Sequence, residues 1–212
     1  ATAALTRAFR SATSHDTVMK LARKLREMGQ EIDPLERLGV VREWHLIGPF
    51  PVTPEEGLAR RFPPEFKIDL KASLPGRGAA TISWKKALVD ASTGRIDLVA
   101  QGISPAEGSV AFAAATLKRD KPSVIELRCG ANDNITVWVG GAKVIERASE
   151  YRAMMRPDRY AAHVSLPAGE TPLLVKLTKT RAEEGQPGRP ARSGGGASAR
   201  WEFEVRLIEE KQ

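Results

Sequence analysis

Two hydrophobic periods divide the chain. Over SHDTVMKLARKLREMG, residues 14–29, Val18, Leu21, Ala22, Leu25 and Met28 recur every three or four positions, the stripe of an amphipathic helix. Ser14 or Asp16 suits its N-terminal cap, and Gly29 stands where a left-handed residue closes a helix. ALTRAFRSA before it reads as a shorter helix. The stripe needs a surface to bury on, either the domain that follows or a helical neighbour outside this chain. Residues 1–40 are therefore expected to form an N-terminal helical segment, the end of a helical repeat or a docking helix.

From Glu43 the period falls to two. The expected strands are EWHLIG (43–48), TISWKKA (81–87), SVAFAAATLK (109–118), SVIELRCG (123–130), ITVWVG (135–140), AKVIE (142–146), YAAHVSL (160–166), PLLVKLTK (172–179) and RWEFEVRLI (200–208). Short strands broken by Gly, Pro, Asn and Asp, with no long helical pattern between them, predict an antiparallel β-sandwich over 41–212 and argue against βαβ units. Residues 49–80 carry Phe50, Phe62, Phe66, Ile68 and Leu70, so they are expected to form an ordered loop over one edge of the sandwich. RAEEGQPGRPARSGGGASAR, 181–200, has no large apolar residue and reads as a flexible insertion between two strands. In ITVWVGG, Ile135, Val137 and Val139 share one face and Thr136 and Trp138 the other, which predicts a strand covered on both sides, turned by Gly140 and Gly141.

Charge changes the picture little. The net charge is +7, but the 33 Lys and Arg are interleaved with 26 Asp and Glu along every segment, so no phosphate-tracking stripe emerges and specific nucleic-acid binding is not expected. The longest apolar runs fall far short of the roughly 20 residues that span a bilayer. The N-terminus lacks the apolar core of a signal peptide, so if the protein is exported its signal is expected to have been removed or to lie upstream. One cysteine, Cys129, excludes an intramolecular disulfide framework.

Catalytic chemistry finds little purchase. His15, His45 and His163 are isolated, with no zinc spacing, and Cys129 at a strand end has no activating base nearby. Glu55, Glu56, Glu65 and Asp69 cluster in the 49–80 segment, where two carboxylates could in principle serve glycoside hydrolysis. Asn132, Asp133 and Asn134 offer oxygen ligands to Ca²⁺ or, in the plainer reading, ordinary turn chemistry. Trp44, Trp84, Trp138 and Trp201 all fall in expected strands and read as core residues before stacking platforms.

The series KLREMGQEID, WHLIGPF from Trp44, FPPEFKIDLKA, TISWKKA, NDNITVWVGGAKV, LPAGETPLLVKLTK and WEFEVRL, in that order, resembles an accessory β-sandwich domain of planctomycete-type multidomain proteins. That domain often follows helical repeats. The second half also looks like the galactose-binding-domain-like jelly roll, with Gly140 and Thr171 standing where that family usually has asparagine. The resemblance implies a mainly β jelly-roll sandwich and a non-catalytic module, in bacteria exported, periplasmic or on the cell surface. It carries no catalytic residue and no required cofactor across. The expected partner is a glycan or polysaccharide; the alternative is a neighbouring protein domain or subunit, with the module serving as a docking element. Candidate ligand residues lie in loops at one end: Asn132, Asp133 and Asn134, then Glu150, Tyr151, Arg152, Arg156, Asp158, Arg159 and Tyr160 from RASEYRAMMRPDRY. Tyrosines interleaved with arginines suit stacking on sugar rings and bonding to hydroxyl or anionic groups.

Overall fold

A computed structural model describes residues 2–53, 56–103, 108–148, 155–179 and 200–209. Three helices open the chain: α1 (Thr2–Ser11), α2 (His15–Glu27) and α3 (Pro34–Leu38). Gly29 has φ +77° and its N–H bonds the Arg26 carbonyl, closing α2 as its position predicts. The α3 turn has a start signal in its own sequence. Asp33 accepts from the Leu35 and Glu36 amides, and Pro34, with no N–H to leave unpaired, takes the first helical position. The α2 stripe Val18, Ala22 and Leu25 is buried with Phe9, Leu35, Leu38 and Val40, so it finds its cover within this chain.

The remaining elements are β1 (Glu43–Pro51), β2 (Ser73–Pro75), β3 (Thr81–Ser83), β4 (Lys85–Leu88), β5 (Ile96–Asp97), β6 (Ser109–Arg119), β7 (Ser123–Ala131), β8 (Asn134–Val139), β9 (Ala142–Arg147), β10 (Tyr160–Leu166), β11 (Gly169–Lys179) and β12 (Glu202–Glu209). Ten of them build two facing antiparallel sheets, ordered β4-β1-β6-β11-β8-β9 and β10-β7-β12-β5. From β5 the chain shuttles between sheets, the β8–β9 hairpin excepted, which is the winding of a jelly roll. The expected run 81–87 is divided, because the chain breaks at Trp84 and β3 pairs instead with β2.

Alternation sorts the side chains. Trp44, Leu46, Ala111, Ala113, Leu173 and Val175 face Ile125, Leu127, Phe203 and Val205 across the main core. Small alanines in central β6 accommodate Trp44 and Trp201, both almost fully buried, and Trp44 meets Phe203 edge to face at 5.2 Å. Trp138 and Trp84 are only partly buried, on the opposite, outer face of the six-stranded sheet. Strand β8 is covered on both sides as expected, though it lies one place from the edge.

The 49–80 segment lies over that outer face and not over an edge. Register slips between Ile47 and Phe50, which puts both on the outer side, where Val52, Phe62, Phe112 and Leu174 join them. The Phe50, Phe62 and Phe112 rings stand 5.1–6.0 Å apart. Lys176, 1% exposed on the same face, donates to the carbonyls of Leu58 (3.1 Å) and Arg60 (2.6 Å) and to Glu65 Oε1 (2.9 Å). A buried ammonium requires such partners, and they clamp the segment to the sheet.

Candidate functional site

Strand register gathers the candidate residues at one end of the sandwich. Tyr160 pairs Cys129, Arg147 pairs Ile135 and Asn134 pairs Thr178, so the 132–133 turn, the end of β9 and the start of β10 are neighbours there. Glu150, Tyr151 and Arg152, and the insertion 181–200 save Arg200, lie outside the described residues.

The three Asx residues serve the fold. Asn132 donates from Nδ2 to the Arg200 carbonyl (2.6 Å) and accepts the Glu202 amide on Oδ1 (2.9 Å), tying the β7–β8 turn to β12. Lys179 Nζ lies 3.5 Å from Asp133 Oδ2, and Asn134 is buried. For Ca²⁺, which takes six to eight oxygens, this is a poor set: one oxygen accepts an amide, and an ammonium already supplies positive charge to the carboxylate. Among the described residues no cluster of three or more His, Cys, Asp or Glu could hold a metal.

Asp158 is likewise engaged. It has φ +58°, a conformation Asp tolerates better than most residues, and its carboxylate meets the buried Arg206 guanidinium through both oxygens. Arg128 approaches the same carboxylate at 3.7 Å while also bonding Glu126. The segment before it crosses β7 at Gly130, where a Cβ would sit 2.1 Å from the Arg156 carbonyl oxygen.

What remains open to solvent is basic and aromatic. The half-buried Tyr160 ring has the Arg147 guanidinium 5.9 Å and the Arg159 guanidinium 5.4 Å from its centroid. Arg147, Arg156 and Arg159 are exposed, and among the described residues no carboxylate forms an ion pair with them. Such a cluster can stack on a sugar face and donate paired hydrogen bonds to hydroxyl, carboxylate or sulfate oxygens. Arg147 sits on an edge strand outside the expected loops; only the Tyr160–Cys129 and Ile135–Arg147 pairings bring it here.

Elsewhere the candidate chemistry is spent. Glu65 belongs to the buried Lys176 pair, Glu56 bonds the Thr53 amide and Arg60, and Asp69 caps the Lys71 amide. The Thr53 amide, then Arg60, hold the Glu56 carboxyl below its ordinary range. Glu55 lies outside the described residues. Burial pushes the Cys129 thiol up to about 12, where thiolate is scarce at neutral pH. At the opposite end of the sandwich a groove of about 1180 Å³ runs between the end of β6, the end of β12 and the 36–43 segment, with Leu70 and Pro172 on its wall. No described helix is long and apolar enough to cross a membrane.

No family model matches the chain, and no curated protein does. Among solved structures it is similar to a β-glucosidase from Kluyveromyces marxianus (7% identity, TM-score 0.43), covering 79% of this chain and 16% of that one. It is also similar to a β-D-mannosidase from Dictyoglomus thermophilum (16% identity, TM-score 0.32), covering 74% and 18%. A GH31 α-xylosidase from Xanthomonas citri follows at 8% identity and TM-score 0.31, covering 80% and 16%. The chain thus spans less than a fifth of each of these proteins.

Proposed function

We propose that the chain is a non-catalytic accessory module that binds a glycan or polysaccharide through the loop-bearing end of its sandwich. The observation that carries this reading is the contrast at that end. Asp133 and Asp158 are engaged from within the protein, while the exposed Arg147 and Arg159 border Tyr160 and the exposed Arg156 lies in the segment before β10. An aromatic ring bordered by exposed guanidinium groups, which no carboxylate pairs among the described residues, offers both stacking and directed hydrogen bonds, the two interactions sugar recognition requires. By sequence, Tyr151 and Arg152 belong to the same connection.

The test is a glycan array of neutral, uronic and sulfated polysaccharides probed at low and high salt. The expected result is binding to one class that survives high salt and weakens at least tenfold in Arg159→Ala and Tyr151→Ala. Binding to every polyanion that vanishes with salt would indicate only a basic surface. Absence of binding to any glycan would favour the second reading, a docking module, for which the groove at the other end supplies a face of mixed charge and apolar side chains.

A further inference from the structure

Strand β12 carries charge where a sheet covered by helices ordinarily carries apolar residues. Phe203 and Val205 point into the main core, so Glu204 and Arg206 point outward, yet they are only 2% and 1% exposed. The N-terminal helical unit lies over them. Arg206 donates to the Thr13 carbonyl at 2.9 Å and to the Leu38 carbonyl at 3.5 Å, besides its pair with Asp158. Two residues beyond Thr13, the His15 imidazole, 11% exposed, brings Nε2 to 3.6 Å from Glu204 Oε2. Neither ring nitrogen of His15 and no partner of Glu204 Oε2 completes a hydrogen bond. The contact therefore depends on what charge its members hold.

We propose that α1 and α2 form a proton-dependent clasp on the outer face of the four-stranded sheet, closed while the buried Glu204 carboxyl facing His15 retains its proton and loosened when that proton is lost. The charged and titratable groups around Glu204 are His15 and Asp16 from α2, Arg206 from its own strand, Cys129 from the neighbouring β7, Asp158 from the segment before β10, and Arg95 before β5. Arg206 stabilises the carboxylate from one side, but it is shared with Asp158 and two carbonyls. Burial first, and then Asp158, push the Glu204 carboxyl up to about 7, against Arg95 and Arg206.

The sign follows from that direction. A carboxyl whose docked pKa lies above the ordinary 4.5 adds stability that is fully present below 4.5 and is lost as pH rises through about 7. The clasp is closed on the acid side of neutrality and opens on the alkaline side. Arg206 ties Thr13 and Asp158 to one guanidinium, so opening also releases a support of the 155–159 segment.

Hydrogen exchange on the full chain between pH 5.5 and 8.5, corrected for intrinsic rates, tests the clasp. Protection of the α2 amides is expected to fall at least tenfold over that range while that of β6 and β11 holds, and Glu204→Gln is expected to flatten the α2 response. Independently, the ¹³C carboxyl resonance of Glu204 in the unmodified protein should titrate with the same midpoint as α2 opening, which keeps the test decisive should the variant fold poorly. Constant α2 protection, a loss shared equally with β6 and β11, a slope retained in the variant, or a Glu204 midpoint unrelated to opening would each overturn the proposal.

Discussion

Lys176 shows how one residue decides what lies on a sheet face. In PLLVKLTK it alternates with Val175 and Leu177, so it must point away from the main core, where a lysine ordinarily reaches water. Here its ammonium is enclosed by Glu65 and two carbonyls and stands 5.4 Å from the centre of the Phe62 ring. Removing one member of a buried pair strands the other, at a cost of about 3 to 5 kcal/mol, whereas replacing both with apolar groups costs far less. Lys176→Met is therefore expected to lower stability by about that amount, and Lys176→Met with Glu65→Leu to recover most of it, as read by urea denaturation. A single variant within about 0.5 kcal/mol of the parent would mean the clamp contributes nothing. In sequence Glu65 reads as a possible acid because nothing local marks a partner more than a hundred residues away.

At the scale of elements, period and punctuation carried most of the information. The α2 stripe, its Gly29 end and the long strands β6, β7, β11 and β12 follow from 3.6- and 2-residue repeats that bury one face. The 49–80 segment was legible as ordered, since its aromatics need burial, but not as the cover of a whole face. That depends on the slip between Ile47 and Phe50, which no periodicity announces. The candidate site was legible as a place and only partly as chemistry. Asn132 and Asp158 look like free ligands in sequence because their partners, Arg200, Glu202 and Arg206, are 48 to 70 residues distant. Gly130 tests how the site segment is seated. A methyl group there meets the Arg156 carbonyl at 2.1 Å, so Gly130→Ala must lift residues 155–159 from β7 or distort the strand. The expected outcome is a loss of about 1 to 3 kcal/mol in stability, together with a loss of the glycan binding proposed above. Unchanged urea midpoints and binding would show that the segment is not held by this close approach.

For the molecule as a whole, two sets of carboxyl groups pull the pH optimum in opposite directions. Asp33, despite partial burial that raises it, is held low by Arg42 and the α3 amides, and Asp90 by Ser92 and Thr93. Such groups add stability above their ordinary value of 3.8, and it is lost as pH falls through their lowered values. Both are largely solvated, so their share is small. Glu204 works the other way and from within the fold: its contribution is complete below 4.5 and gone above about 7. A shift of that size corresponds to something on the order of 3 kcal/mol. The optimum should therefore lie on the acid side of neutrality, although the net charge of +7 would by itself favour alkaline conditions, where self-repulsion eases. Thermal unfolding between pH 4 and 9 is expected to give a midpoint that declines from about pH 5 to 8 in the parent chain and stays level over that range in Glu204→Gln. A parent midpoint that rises with pH would mean that net charge outweighs the single buried carboxyl. The covering of β12 by helices that meet it from almost two hundred residues away would then be a packing arrangement without a proton attached to it.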